Sequence, residues 1–340
     1  MLNKVIDEQL IQQAKKIIDK YDNIVIVSHV SPDGDALGSS LALSHFLNEI
    51  GKNVNIIMPD NFPEFLKWLP CSKDIILADR KKELAAELID NAELIFCLDF
   101  NTLSRIEHVA PLVEKAKAKK ILIDHHLEPD NFCDISISYP TISSTSELVF
   151  RFICRMGMYE YITKKCAECI YTGMMTDTGA FTYNSNQPAI YYIISELLKL
   201  GINKDEIYSK VYNDYTETRV RLQGYALYEK MKIYEEYKTS LIFLSLEDRK
   251  KFQWKKGDTE GFVNIPLSIE NIVFSVFIRE EEDYVKVSLR SKGDFPSNKF
   301  AAEVFGGGGH LNASGGEYRG SLEDAIKHFE KSLPLFKDLL

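Results

Sequence analysis

Residues 24–40 read Ile24-Val-Ile-Val-Ser28-His29-Val-Ser-Pro-Asp33-Gly-Asp35-Ala36-Leu-Gly38-Ser-Ser40. Four β-branched residues in a row read as a buried strand, and the small residues from Ala36 onward open a helix. Between them lie a histidine and two aspartates, so three potential metal ligands sit at one strand end. In open α/β sheets, ligands collect in the crevice beyond the carboxyl ends of the strands, and this position fits that rule. A Pro-Asp-Gly turn is also an ordinary surface feature, so this segment alone leaves both readings open.

Working outward, short apolar strands are expected at 24–28, 54–58, 94–98 and 121–123, with helices at 36–50, 144–156 and 164–175. The alternation predicts an α/β domain, a parallel sheet with helices on both faces, over residues 1–187. After Gln187 come helical patterns without an intervening strand, AIYYIISELLKL and a run from about 214 to 232, which read as a helical connector over 188–233. From Tyr234 the strands TSLIFLSL, NIVFSVFIRE and YVKVSLRS, with helix-compatible stretches at 298–304 and 322–332, predict a smaller α+β domain over 234–340. The one compositional oddity is the glycine cluster 306–309 with Gly315 and Gly316.

The chain has 340 residues, 45% hydrophobic and 27% charged, which excludes a disordered protein and is enough for two cores. Its 41 Lys+Arg against 50 Asp+Glu give a formal charge of -9, which argues against a general grip on long double-stranded nucleic acid. Short anionic substrates remain compatible. No apolar run reaches a membrane span, and MLNKVIDEQLIQQAKK reads as an amphipathic helix and not a signal peptide, so a cytoplasmic protein is expected. The six scattered cysteines read as reduced thiols; Cys166-x-x-Cys169 lies inside a helical pattern and reads as core, not as half of a zinc site.

The ligand pattern of the first segment recurs. The strand at 94–98 ends in Asp99, the strand at 121–123 ends in Asp124-His125-His126, and the helix ending near 175 delivers Asp177 in Thr176-Asp177-Thr178-Gly179. Each has a bland alternative: Asp99 as a helix cap, the histidines as core groups bonded to backbone, Asp177 as a turn residue. Four segments converging on one sheet edge point instead to bound dications, the usual means of stabilising clustered carboxylates. Carboxylates and imidazoles without thiolate favour hard or borderline ions such as Mn²⁺, Mg²⁺ or Co²⁺, and two divalent ions, Mn²⁺ first among these, are the expected cofactors.

The motifs HVSPDGD, Asp99 after its strand, DHH and TDTG resemble those of the DHH phosphoesterase superfamily, which includes RecJ nucleases and family II inorganic pyrophosphatases. FGGGGHLNASGG is similar to the signature of the DHH-associated domain. Together they resemble the nano-RNase and pAp phosphatase branch and the related cyclic-di-AMP/pApA phosphodiesterases. The resemblance implies two metal ions, one held by His29, Asp33 and Asp99, the other by Asp35, Asp99, His125 and Asp177, with Asp99 bridging. It implies a catalytic role for His126 at the scissile phosphate, and Asp124 reads as the group that holds an imidazole in its working tautomer.

Consecutive glycines let a backbone approach an anion and present N–H groups to it. With His310 following and Arg290-Ser291 upstream, Gly307, Gly308 and Gly309 read as part of a substrate cradle, with Asn298 a further candidate. Arg290 offers a planar fork for a phosphate or a base edge. Arg105 is a weaker candidate contact, since an exposed or ion-paired arginine explains it better. The expected arrangement has metals on the larger domain and recognition on the smaller, with a cleft between them. The expected activity is removal of 5′-mononucleotides from very short RNA and dephosphorylation of pAp to AMP. The alternatives are cyclic-di-AMP or pApA hydrolysis, polyphosphate hydrolysis, and a non-catalytic nucleotide-binding regulator. Partners are then short oligoribonucleotides, nucleotide bisphosphates or dinucleotides, and a homodimer stays open.

Overall fold

The structure, a computed structural model, describes residues 5–340, and the first four residues of the expected N-terminal helix lie outside the described residues. The chain divides into two compact units, Met1–Asp214 and Tyr215–Leu340.

The first unit runs α1 (Glu8–Lys20), β1 (Asn23–Val27), α2 (Gly34–Glu49), β2 (Asn53–Met58), β3 (Ile76–Leu77), α3 (Lys82–Asp90), β4 (Leu94–Leu98) and α4 (Ala110–Lys115). It continues through β5 (Lys119–Asp124), β6 (Ile135–Ser138), α5 (Thr145–Arg155), α6 (Lys164–Asp177), α7 (Pro188–Lys199) and α8 (Lys204–Tyr212). Six parallel strands form one sheet in the order β3-β2-β1-β4-β5-β6. The predicted strands are all present. β3 and β6 carry no separate signal in the sequence, one because it is two residues long, the other because Ile-Ser-Ile-Ser is a half-exposed edge.

Both faces of the sheet are covered, which is why its strands read as continuous apolar runs. Ile24 and Ile26 of β1 enter a core with residues of α1, α2, α5 and α6, while Val25 and Val27 enter the opposite core with Ala85, Ile89 and Val113. Chain order reverses between β1 and β4, so the crevice at their carboxyl ends is the topological switch point of the sheet.

Glycines set the helix layer above that crevice. A Cβ on Gly38 of α2 would lie 2.6 Å from the Cys169 carbonyl oxygen and 2.8 Å from the Gly173 nitrogen of α6. A Cβ on Gly173 would lie 1.9 Å from the Ser146 hydroxyl of α5 and 2.8 Å from Asp35 Oδ1. Helices α2 and α6 thus meet nearly backbone to backbone, and the Ser146 and Asp35 side chains fill the space over Gly173.

The second unit runs α9 (Glu217–Glu229), β7 (Met231–Tyr234), β8 (Thr239–Leu244), α10 (Leu246–Lys251), β9 (Phe274–Glu280), β10 (Val285–Ser291), α11 (Ser297–Phe305), β11 (Gly308–His310), β12 (Ala313–Tyr318) and α12 (Leu322–Ser332). Its sheet has the order β11-β12-β10-β9-β8-β7, antiparallel except for the β8–β9 pair. One face packs on Phe300, Phe305, Phe329 and Phe336, and Phe277 on the other packs with Leu222 and Phe262. Part of the glycine cluster is strand and not loop: Gly308 pairs with Gly315 in a β11–β12 hairpin. A Cβ on Gly307 would lie 1.9 Å from the Gly315 carbonyl oxygen, so packing alone demands glycine there. All six cysteines are free thiols. Among the described residues no helix is long and apolar enough to cross a membrane.

Gly38 and Gly224 make a matched pair, since both lie within helices but nothing lies within 4 Å of a Cβ on Gly224 of α9. Gly224→Ala should stabilise the chain by about 0.5–1 kcal/mol through helix propensity. Gly38→Ala should lower stability by about 1–3 kcal/mol, because overpacking outweighs that gain. Urea unfolding of both variants checks this, and a stabilised Gly38→Ala would contradict the packing.

Candidate metal centre

Each candidate ligand is placed by a local cause. Asp33 caps α2: its Oδ1 accepts from the backbone N–H of Asp35 and of Ala36, each at 3.0 Å. The helix therefore starts at Gly34, two residues earlier than the sequence suggests, and Asp35 is the second residue of its first turn. Asp99 follows β4 directly, with φ of 64°, a left-handed conformation uncommon outside glycine. His125 and His126 follow β5, and Asp177 is the last residue of α6.

These residues form two groups, His29 with Asp33 and Asp99, and Asp35 with His125 and Asp177. His29 Nε2 lies 3.6 Å from Asp99 Oδ2 and 4.0 Å from Asp33 Oδ1. His125 Nε2 lies 3.4 Å from Asp177 Oδ2, 3.7 Å from Asp99 Oδ1 and 3.9 Å from Asp35 Oδ2. These separations are longer than hydrogen bonds. They match the roughly 3–4 Å between two donor atoms on one ion with bonds near 2.1 Å. Asp99 turns one oxygen to each group. The bland alternative for it is absent, since the turn that follows, capped at Thr102, takes no side-chain cap.

Ring tautomers favour metal as well. His29 Nδ1 lies 2.8 Å from its neighbour's carbonyl, that of Val30, and His125 Nδ1 lies 3.2 Å from the Ile142 carbonyl. An N–H donated there leaves Nε2 as a lone pair facing the carboxylates. Asp124 serves the other histidine: its Oδ1 accepts from His126 Nδ1 at 2.7 Å, and its Oδ2 accepts from the His126 backbone N–H at 3.1 Å.

The electrostatics describe a site made for positive charge. Burial pushes Asp35 well above the usual carboxylate range, and the charges of Asp99 and Asp177 add to the push. Burial lifts Asp177 to about 6 against the pull of His125. Burial opposes charge on Asp99 too, but the surrounding His29, His126 and His125 rings hold it well below its ordinary range. Burial opposes charge on His125, and Asp177, Asp99, Asp35 and Asp124 outweigh that and push it up to about 9. The donor set fits a pair of divalent cations, which would relieve the carboxylate repulsion that the imidazoles relieve in part.

Sequence reasoning missed the segment 142–147, whose Ser144-x-x-Glu147 spacing is a helix-start signal. Ser144 Oγ caps α5 by accepting from Glu147 N–H at 3.0 Å. The first two N–H groups of α5, from Thr145 and Ser146, donate to Asp35 Oδ2 and Oδ1 at 2.6 and 2.9 Å. Thr145 Oγ1 donates to Asp99 Oδ1 at 2.9 Å.

In the second unit the register brings Arg290, Ala313 and His310 into one row across β10, β12 and β11, beside a row of Ser288, Gly315 and Gly308. Arg290 spends Nη1 on the Leu289 carbonyl, and its buried Nε has no partner among the described residues. Ser291 faces the opposite way, as strand alternation requires, and its hydroxyl donates to the Phe295 carbonyl. Asn298 lies in the first turn of α11, where the preceding Ser297 donates its N–H to the Leu311 carbonyl. Arg105 is exposed, and its carbonyl accepts from Val30 N–H.

A family model described as the DHH family, N-terminal domain, matches residues 23–174, and the DHHA1 domain matches residues 238–333. Over 317 residues the chain is 30% identical to a protein of Thermus thermophilus named bifunctional oligoribonuclease and PAP phosphatase NrnA, covering 93% of this chain and 90% of that one. The chain belongs to the DHH family. A Bacillus subtilis relative of the same name is 28% identical, covering 88% of this chain and 90% of its own. A crystal structure of an exopolyphosphatase-related protein from Bacteroides fragilis is 59% identical, with a TM-score of 0.95 and 99% of each chain covered. RecJ from Thermus thermophilus in complex with Mn²⁺ is 12% identical, with a TM-score of 0.55 over all of this chain and 56% of RecJ, and shares the DHH fold.

A divalent ion held by His125 would compete with the proton on its ring. The folded, metal-free protein favours the protonated ring up to about pH 9, whereas an ion needs the neutral one, so ion affinity should rise with pH below that value. The slope should be at least roughly tenfold per pH unit between pH 6.5 and 8.5, flattening above 9, with protons released on binding. Calorimetric Mn²⁺ titrations in buffers of different ionisation enthalpy read both quantities. An affinity independent of pH across that range would contradict the assignment of His125.

Proposed function

We propose that this chain is a phosphoesterase that uses two divalent ions, Mn²⁺ above Mg²⁺ or Co²⁺, to release 5′-mononucleotides from very short oligoribonucleotides and to convert pAp to AMP. The observation that carries the reading is Asp99, whose two oxygens face two separate groups of histidine and carboxylate at the switch point of a DHH-family sheet. The names of the Thermus and Bacillus relatives support the substrate class.

His29, Asp33 and Asp99 hold one ion, and Asp35, Asp99, His125 and Asp177 the other. Such a pair activates water near neutral pH and neutralises charge on the phosphate oxygens. The protein's own groups do the rest. Asp124 accepts from Nδ1 of His126 and so orients the ring, and in the doubly protonated ring Nε2–H would donate to the phosphate or give its proton to the leaving oxygen. Arg290, His310 and the backbone of Gly307, Gly308 and Gly309 hold the part of the substrate remote from the scissile bond, with Ser291 and Asn298 supporting that surface. The acidic net charge favours short substrates over a polymer track.

A second reading, hydrolysis of polyphosphate, is favoured by one observation, the name of the 59% identical Bacteroides relative. Metal-stripped protein supplied with Mn²⁺ and tested on pAp, pApA, cyclic-di-AMP, RNA of two to five units, and polyphosphate separates the readings by kcat/KM. Preference for polyphosphate would overturn the nucleotide reading, and turnover in excess chelator would overturn the use of metal.

The two histidines should separate in their effects. His125→Ala should lose one ion per chain, while His126→Ala should keep both and lower kcat. Elemental analysis beside steady-state kinetics reads this, and two ions retained in both variants would remove His125 from the ligand set.

Substrate groups that do not change during reaction give uniform binding. Arg290→Ala and His310→Ala should therefore raise KM for pAp and short RNA, lowering kcat/KM roughly ten- to a hundredfold, which corresponds to about 1.5–3 kcal/mol. Hydrolysis of bis-p-nitrophenyl phosphate, which lacks the remote group, should fall far less. Equal loss on both substrates would assign these residues to the chemistry or the fold.

A further inference from the structure

The segment between β6 and α5 reaches candidate ligands of both ion groups from one short stretch of backbone. The Ile142 carbonyl faces His125 Nδ1 at 3.2 Å, and the Thr145 and Ser146 N–H groups hold the two oxygens of Asp35. The Thr145 hydroxyl holds Asp99 through Oδ1, the oxygen on the side of His125. Asp99 Oδ2 is left to the side of His29. Thr145 is fully buried, as is its neighbour Ser144.

A buried ion pair fixes this segment from behind. Glu147 accepts from Ser143 N–H and Oγ through Oε2, at 3.2 and 2.6 Å, and from Arg151 through Oε1, where Nε lies at 2.7 Å. Both side chains are almost inaccessible. Removing either partner would strand a buried charge, so the pair holds the turn before α5 in one arrangement. The bridging aspartate itself sits in left-handed backbone, with the Thr145 hydroxyl on Oδ1 and His29 Nε2 3.6 Å from Oδ2.

We propose that Thr145 is a positioning residue for the bridging carboxylate: its hydroxyl locks the rotation of Asp99 so that one oxygen is committed to each ion group and both ions bind as a pair. This rests on the two-ion reading given above. A carboxylate free to rotate could give both oxygens to one ion and leave the other group short of a ligand. With the hydroxyl bond in place, Oδ1 keeps a lone pair for the His125 group, and binding of the first ion presents a finished ligand to the second.

Thr145→Val removes the hydroxyl and keeps the shape, and Thr145→Ser keeps the hydroxyl. The readouts are Mn²⁺ titration and the spin-coupled electron paramagnetic resonance signal of a manganese pair, alongside the thermal midpoint of the metal-free protein. Thr145→Val should weaken the second ion by roughly ten- to a hundredfold, the range for loss of an outer hydrogen bond to a ligand. At two equivalents of Mn²⁺ its coupled signal should give way to that of isolated ions, and Thr145→Ser should restore it. If Thr145→Val binds and couples two ions as the wild type does, the inference is wrong while the two-ion reading stands. If serine fails as valine does, or if signal loss merely follows a fallen thermal midpoint, the hydroxyl is not the positioning group. A wild-type protein that never shows a coupled pair overturns the two-ion reading, and this inference with it.

Discussion

Burying several carboxylates side by side is the constraint around which the first unit is organised. Asp35, Asp99 and Asp177 lie within a few ångströms of one imidazole, His125. Two of the three, Asp35 and Asp177, are pushed toward the neutral form by burial and by neighbouring carboxylates. Only Asp99 is held firmly ionised, because three histidines surround it. The fold tolerates this arrangement by satisfying the carboxylates before any ion arrives. The N-terminus of α5 donates two N–H groups to Asp35, whose charge is favourable against the helix dipole there. Asp33 is occupied in the same way at the start of α2.

Sheet order and helix packing then serve the same point. Strands β1, β4 and β5 lie side by side although β2 and β3 separate β1 from β4 along the chain, and their carboxyl ends deliver His29, Asp99 and the Asp124–His126 run to one crevice. The remaining candidates come from helices or their caps, and their precision depends on how closely those helices approach. Gly38 lets α2 and α6 meet backbone to backbone, and Gly173 leaves the room that the Ser146 and Asp35 side chains occupy. An alanine at either place would separate Asp35 from the N–H groups that hold it, or Asp177 from His125. Small residues near this site are therefore part of its geometry.

The second unit follows a different logic. Its functional candidates are not set by a switch point but by cross-strand register, which lines up Arg290 with His310 on one face of an antiparallel sheet. Its glycines answer two demands at once. Gly307 and Gly316 are required because neighbouring backbone or the Phe305 side chain occupies the place of a Cβ, whereas Gly308 has open space beside it and keeps an exposed backbone. A strand edge without side chains is a surface on which an anion can meet N–H groups directly.

The sequence by itself determined the fold class, the strand ends and the identities of the metal-ligating candidates, because each of these is written locally. An apolar run of five residues marks a buried strand, and a His or Asp just past its end is read without knowing what lies opposite. His29, Asp33, Asp35, Asp99, His125 and Asp177 were all legible in this way. Only the tertiary structure decided how these residues are paired. It put Asp124 against His126 and gave His125 the Ile142 carbonyl. It divided the oxygens of Asp99 between two groups, and brought the unremarkable Ser143–Glu147 stretch beneath both. It also turned Ser291 away from Arg290 and made a strand of half the glycine cluster. Most of those facts depend on which strands become neighbours and how closely helices approach, and a contact such as Thr145 with Asp99, 46 positions apart, leaves no periodicity or spacing in one sequence.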